Sequence, residues 1–275
     1  MAHTVGSVSL FTVGGVNVLG DFDNAAINVE ETQVNGAPLA SGYSNAQGTK
    51  LSGTLKVAVF SNAMSGANAI LRTSALNVSA LEIEDENHLG VVRSFSVALA
   101  YAKQMRAGVG SRWTRPQIVT ATASVESTLD VEDGVLSTLY SLLPGAGNAD
   151  ALTTFEATIG GTSLALPMRV RSIGTPYERD GIQTASVAMA SGGPIYTGST
   201  PASPLGAGSL LSKAFDPAYF DSSLAFAFTA RPGAGSGSWT GALKFDSVRI
   251  AVEDETLIKT EYGFINDGAW TFTPG

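Results

Sequence analysis

The chain has 275 residues, with 16 basic and 24 acidic side chains and a formal net charge of -8. This acidic surplus excludes a nucleic-acid binder whose affinity depends on neutralising phosphates with Lys and Arg. The sequence contains no cysteine, which excludes disulfides, thiolate metal sites and a cysteine nucleophile. The 44% hydrophobic content suffices for one large core or two smaller ones.

Short stretches of alternating apolar and polar residues recur along the whole chain, and such alternation predicts half-buried strands. The predicted strands are residues 7–13, 16–19, 50–60, 78–85, 91–103, 117–125, 155–159, 162–173, 182–190, 223–230, 239–252 and 258–273. Clusters of Gly, Pro, Asn and Asp separate them, which is typical of an antiparallel sandwich or barrel. We therefore predict a mainly β fold.

Three segments have the pattern of short helices. They are residues 62–71, 131–143 and 205–215. The middle segment has the strongest signals, because Asp130 can cap its start and Pro144-Gly145 can end it. We expect each half of the chain to carry one short helix beside its sheet.

The order of elements repeats once along the chain. The sequence TVGGVNV at residues 12–18 can be aligned with TIGGTSL at residues 158–164, and a strand, a short helix, a hairpin and a last strand follow each copy. We predict two similar antiparallel sandwich or barrel units, residues 1–130 and 151–275, joined by a helix and linker at 131–150. The alternative is a single irregular β protein.

No motif for catalysis or cofactor binding is evident, so we expect no enzyme, no cofactor and no metal. The spacing from Gly42 to Lys50 does not fit a phosphate-binding loop, and no G-x-S-x-G turn occurs. Trp113, Trp239 and Trp270 fall in or beside predicted strands, where they can pack in a core or an interface. A carbohydrate-binding platform is the alternative for these rings. The N-terminus lacks the pattern of a secretory signal, and we expect none.

The densest acidic group consists of Glu82, Glu84, Asp85 and Glu86. Because Leu81 and Ile83 alternate with Glu82 and Glu84, the acids are expected to share the solvated face of a strand. A charge-lined assembly or lumen surface is the first alternative, and a metal or catalytic site is the second. His88 is expected on the surface of the following turn.

The arrangement resembles the tail tube proteins of long-tailed bacteriophages. The resemblance lies in the N-terminal Gly-Gly hairpin, the polar segment 20–48, the strand 50–60 with its helix and hairpin, and the closing EYGFINDGAW strand at residues 261–270. It implies a structural virion protein, made in the host cytoplasm, whose rings stack into a tube that conducts DNA without binding it specifically. It also implies contacts with other tail proteins and none with a membrane.

In that family a long loop reaches the neighbouring ring and the bore tends to be acidic. Residues 20–48 correspond to that loop, and we expect it to be mobile in the isolated protein; residues 165–181 correspond to a shorter counterpart. The candidate contact residues are Asp21, Asp23, Glu30, Glu31, Tyr43, Arg171 and Tyr177. With two units per chain, a six-unit ring implies three chains with pseudo-six-fold symmetry. The alternatives are a phage decoration or baseplate protein and a carbohydrate-binding sandwich or adhesin.

Overall fold

The three-dimensional structure is a computed structural model. It describes residues 8–19, 22–36, 45–60, 78–83, 86–88, 90–106, 108, 111–131, 135–143, 152–159, 162–176, 183–192, 210–230, 237–253 and 258–275. None of the helices in these ranges has the length and apolarity that a membrane crossing requires.

The described residues form antiparallel strands and two short helices, so the prediction of a mainly β fold is confirmed. The strands are β1 (Val8–Val13), β2 (Val16–Asn17), β3 (Phe22–Gly36), β4 (Asn45–Phe60), β5 (Val78–Ile83), β6 (Glu86–Asn87), β7 (Val92–Arg106), β8 (Arg115–Asp130), β9 (Thr153–Ile159), β10 (Thr162–Gly174), β11 (Thr184–Ser191), β12 (Leu224–Ala230), β13 (Gly237–Glu253), β14 (Lys259–Asn266) and β15 (Thr271–Pro274). The helices are α1 (Val135–Ser141) and α2 (Leu210–Phe215), and a 3-10 turn follows at Pro217–Tyr219.

Eight strands form one continuous sheet, called the central sheet below. Their order is β3-β4-β14-β13-β7-β8-β11-β10, and every neighbouring pair is antiparallel. Two smaller groups of strands extend from it. The group β2-β1-β12 joins the first half of β13, and the group β6-β5-β9 joins the first half of β10. β15 pairs with the start of β13.

One face of the central sheet is covered by the flanking strands and by α2. On β7, the side chains of Phe95, Val97, Leu99 and Tyr101 alternate into this core, as the period of a half-buried strand requires. The Phe95 ring lies 6.1 Å from that of Phe155 on β9, centre to centre. The Tyr101 hydroxyl donates a 2.6 Å hydrogen bond to the carbonyl oxygen of Ala214 in α2, and burial raises the pKa of Tyr101.

The order of the central sheet is palindromic about its middle pair. β7 and β13 pair there, with Val97 opposite Ile250. Outward from this pair, β8, β11 and β10 on one side correspond to β14, β4 and β3 on the other. The pairing also crosses the chain midpoint, because β4 pairs with β14 whereas β11 pairs with β8. The strands before residue 131 and after residue 151 are therefore interleaved in one sheet.

Irregularities in the strands recur at matched positions of the palindrome. One register shift leaves Asp23 as a bulge in β3, and another leaves Arg171 as a bulge in β10. A second pair of shifts places Arg93 of β7 and Asp246 of β13 at matched bulges. Bulges redirect a strand at a defined position. Their recurrence extends the similarity of the two sides from strand order to individual residues.

Several sequence predictions need correction. The segment predicted as a long loop, residues 20–48, contains β3 and the first residues of β4, and its counterpart at 165–181 contains most of β10. β3 was missed because its polar sequence lacks a clean apolar alternation, and it gains its hydrogen bonds from β4. The helix predicted at 62–71 lies outside the described residues.

Two local predictions were also wrong. Asp130 does not cap a helix, because it ends β8 and its carboxylate pairs with Arg93, and α1 is shorter than the predicted segment 131–143. His88 is buried rather than exposed. Its backbone N–H donates to the carbonyl oxygen of Leu81 and its carbonyl oxygen accepts from the Val91 N–H, so the turn folds back on β5.

Candidate assembly surface

The second face of the central sheet, called the outer face below, consists mainly of small polar and small apolar side chains. Alternation in each strand places them opposite the core residues. The small outer-face residues across the middle strands are Ser94, Ser96, Ala98, Ala100, Thr122, Ser124, Thr128, Ser186, Ala188, Ala190, Ser247, Ala251 and Gly263. Such residues leave open hollows on this face between the larger charged side chains, with Ser96 and Ala188 in one and Ser247 and Gly263 in another.

Charged residues on the outer face are of both signs. Arg249 on β13 lies directly opposite Glu261 on β14. Lys259 Nζ lies 3.5 Å from an Asp23 carboxylate oxygen. Opposite charges on neighbouring strands cancel much of each other's field. This face is therefore mixed in charge, unlike the acidic bore that the family resemblance implies.

One edge of the central sheet is β3. Within the described residues, β3 forms strand pairing on one side only, with β4. Three exposed acids lie along it, namely Asp23, Glu30 and Glu31. The Glu30 carboxylate accepts a 2.6 Å hydrogen bond from the Asn28 side chain, and Glu31 lies 3.3 Å from Arg112. An unpaired strand of this length is a template for another strand.

The opposite edge is the second half of β10. β9 covers β10 only as far as Met168, and the described residues 169–174 pair on one side only, with β11. This edge carries Arg169 and the exposed Arg171, and no acid. Because eight antiparallel strands alternate in direction, β3 and β10 run in opposite directions. The β10 edge of one copy could therefore add to the β3 edge of another as an antiparallel neighbour.

Part of the β3–β4 hairpin extends beyond the other strands. This part, residues 29–36 and 45–53, is called the arm below, because β14 pairs with β4 only from Thr54 onward. The segment before β8 braces the arm. The Leu51 N–H donates to the carbonyl oxygen of Arg112 at 2.6 Å, and the Thr114 N–H donates to the carbonyl oxygen of Leu51 at 3.0 Å. Lys50 Nζ donates to the Ser111 carbonyl oxygen at 2.6 Å.

Asn266 is the polar residue at the base of the arm. It is fully buried, and its side-chain oxygen accepts a 2.9 Å hydrogen bond from the Gly53 N–H. Its side-chain nitrogen donates to the carbonyl oxygens of Thr114 at 2.7 Å and Gly268 at 3.1 Å. The Trp270 ring lies against Gly53, where a Cβ would be 2.7 Å from a ring carbon. Glycine at this position is therefore required by packing.

A buried cation fixes the neighbouring β7–β8 hairpin. Lys244 Nζ donates to Asp221 at 2.7 Å and to the Pro116 carbonyl oxygen at 3.0 Å. The Ile118 N–H donates to the same Asp221 oxygen at 2.9 Å. The hydrogen bond from Lys244, followed by that from Ile118, lowers the pKa of Asp221 below its usual value. The pair joins β13, β8 and the chain before β12.

The structure separates the candidate contact residues into two groups. Asp23, Glu30 and Glu31 lie on the β3 edge, and Arg171 lies on the β10 edge across the sheet. Asp21, Tyr43 and Tyr177 lie outside the described residues.

The acidic group predicted as a solvated strand face is only partly described. Leu81 and Ile83 are buried and Glu82 is half-buried; Glu84, Asp85 and the side chain of Glu86 lie outside the described part. No group of three or more metal-ligating side chains occurs among the residues that the structure describes.

The aromatic residues pack mainly against one another. Trp270 is buried, and its ring contacts those of Phe226, Trp113 and Trp239. Core and interface packing therefore accounts for these rings better than a carbohydrate platform does. Sequence reasoning missed Asn266, Lys244 and Gly53 as structural residues. Only Gly53 gave a signal, as a glycine inside an alternating strand.

Comparison with known proteins gives weak likenesses. No protein-family model and no curated protein matches the chain. A chain of the virion of a native gene transfer agent particle is similar over 42% of this chain and 92% of its own length, with a TM-score of 0.35 and 18% identity. A chain of the tail of an empty gene transfer agent particle, solved with helical refinement and C6 symmetry, is similar over 38% of this chain and 78% of its own, with a TM-score of 0.33 and 17% identity. The function proposed below rests on the geometry of the sheet.

Proposed function

We propose that the chain is a structural protein of a phage-type tail, whose copies form rings that stack into a tube for the passage of DNA. The observation that carries this proposal is the central sheet, whose outermost strands β3 and β10 run in opposite directions and, among the described residues, have an edge that pairs on one side only. A sheet of this kind can extend from copy to copy through a head-to-tail contact, and such a contact closes into a ring when the rotation between copies allows it.

The outer face has the properties that a bore lining needs. Small residues occupy most positions of its middle strands, Arg249 lies opposite Glu261, and Lys259 lies beside Asp23. DNA binds where Lys and Arg release counterions from phosphates, and paired charges provide little of this effect. We therefore assign the outer face to the bore. The arm extends along the strand direction and is suited to contact the next ring.

The central sheet has two matched sides. Its palindromic strand order and the bulges that the two sides share support a duplicated β unit. With two units per chain, we propose that three chains form the six-unit ring that the family resemblance implies. The palindrome adds one feature to it. Matched strands run in opposite directions, so the six units of such a ring would alternate in direction around the bore.

Electron microscopy of the purified protein tests the proposal. We expect monomers at low concentration, and rings and then tubes as concentration rises, with rotational averaging giving the number of chains. Closed rings that never stack would favour a decoration or baseplate protein. Monomers at every concentration would contradict ring formation and return the carbohydrate-binding sandwich as the leading alternative.

A further inference from the structure

The two free edges of the central sheet occupy matched positions but carry opposite charge. The β3 edge has Asp23, Glu30 and Glu31, and the β10 edge has Arg169 and Arg171. The contrast is sharpest at the matched bulges, where Asp23 is on one edge and Arg171 is on the other. If its two edges were identical, a palindromic sheet could join another copy through either edge. A charge difference at this position selects which edges join.

We infer that this charge difference directs assembly: the β10 edge of one copy joins the β3 edge of the next, and contacts between like edges are rejected. This inference rests on the proposed function, and it adds the residues that choose the partner surface. Two β3 edges can also pair as antiparallel strands around a two-fold axis, which would end growth at a dimer. Both strands at that contact would carry three acids, and like charges on adjoining strands oppose association.

Burial of these charged side chains where the two edges meet would strengthen the preference of the β3 edge for the β10 edge. Asp23 already lies 3.5 Å from Lys259, and Glu31 lies 3.3 Å from Arg112, so these acids have cations of their own chain nearby. Arg171 is exposed on the opposite edge. An incoming Arg-bearing strand meets carboxylates that can accept further hydrogen bonds, since each oxygen accepts more than one. An incoming acidic strand instead adds like charge beside these carboxylates.

Charge reversal at the matched bulges tests the inference. Arg171→Glu places an acid at both matched bulges, and we expect it to weaken association between chains by about tenfold or more. Asp23→Arg places an arginine at both matched bulges and should also weaken it. The double variant Asp23→Arg/Arg171→Glu restores opposite charges at the matched bulges and should recover ring formation. Sedimentation velocity measures the association, and electron microscopy identifies the rings.

Two controls separate charge at the edge from other effects. Arg106→Glu changes the net charge by the same amount on β7, away from both edges, and should leave ring formation unchanged. Arg171→Gln removes the charge without reversing it and should give intermediate association; it also serves if Arg171→Glu does not fold, which the thermal melt of each variant reveals. Raising the salt concentration should weaken the wild-type joint.

The outcomes are distinct. Wild-type association of the Arg171→Glu protein, or no recovery in the double variant, overturns the inference and leaves the tube proposal standing. Discrete dimers of the wild-type protein that Arg171→Glu leaves unchanged and Asp23→Arg tightens would indicate β3–β3 pairing and also overturn it. Failure of the wild-type protein to form rings at any concentration counts against the proposed function itself.

Discussion

The two ends of the central sheet have the same strand order but differ in the length and the support of their hairpins. At one end the hairpins β3–β4 and β7–β8 extend far beyond their neighbours, whereas at the other end the matched hairpins β10–β11 and β13–β14 stop short. At the long end the Gly53 N–H donates to the side chain of Asn266. At the short end, the matched contact is between the Val131 N–H and the Gln183 carbonyl oxygen, at 2.9 Å.

This difference shows which part of the framework is general and which part is specialised. The shared part is strand pairing, which needs only backbone groups and alternating side chains. The specialised part is the support of the arm, which needs a buried amide, a glycine and the side chain of Trp270. The outer parts of two long hairpins have few sheet neighbours, so side-chain and loop contacts must replace the missing strands.

Cleavage of the chain between its two halves is the most severe test of whether the two sides of the sheet depend on each other. A specific protease site inserted between Leu143 and Leu152 can be cleaved after folding. We expect the fragments to remain associated and to unfold in one transition, because β4 pairs with β14 and β11 pairs with β8. Size-exclusion chromatography of the cleaved and uncleaved proteins, with a denaturing gel, measures the association of the fragments. A thermal melt of the cleaved protein shows the number of unfolding transitions. Fragments that elute separately would show that each half folds on its own.

A substitution at matched positions sharpens the comparison of the two ends. Gly53→Ala puts a Cβ about where the Trp270 ring lies, and overpacking of this kind costs about 1–3 kcal/mol in the free energy of unfolding. Gln183 is the matched residue at the short end and is exposed, so Gln183→Ala should change stability by less than about 0.5 kcal/mol. Urea unfolding measures both. Equal losses in the two variants would mean that the long end has no special packing.

The sequence alone predicts the strands that alternate cleanly, and it fails where order depends on distant residues. The apolar alternation of β7, β8 and β11 was sufficient, because each buries one face. β3 has mostly exposed residues and is a strand because β4 lies beside it. The edge residues Asp23 and Arg171 were chosen as contact candidates, but their placement on opposite edges depends on sheet order. Local sequence contains no signal for that order.

The smallest expected effect concerns the ion pair at the long end. Lys244 is buried there, whereas its matched residue at the short end is Val91, which is also buried. Asp221 has a lowered pKa, so its ionised form stabilises the fold above the usual carboxylate pKa of about 4, and this contribution is lost as the pH falls through the lowered value. Asp221→Asn should therefore lower stability most at neutral pH. The loss should be below about 1 kcal/mol, because the Asp221 side chain is 50% exposed and solvent screens the pair.

The matched residue also supplies the control for this prediction. Lys244→Met replaces the cation with an apolar side chain, as Val91 does at the other end, and in that background Asp221→Asn should have little further effect, since the carboxylate has lost its partner. Urea unfolding between pH 7 and pH 2.5 gives the four stabilities of this double-mutant cycle. An Asp221→Asn loss that is equal in both backgrounds, or that grows as the pH falls, would show that Asp221 stabilises the hairpin without Lys244. Its bond to the Ile118 N–H would then be the contact that distinguishes the long end.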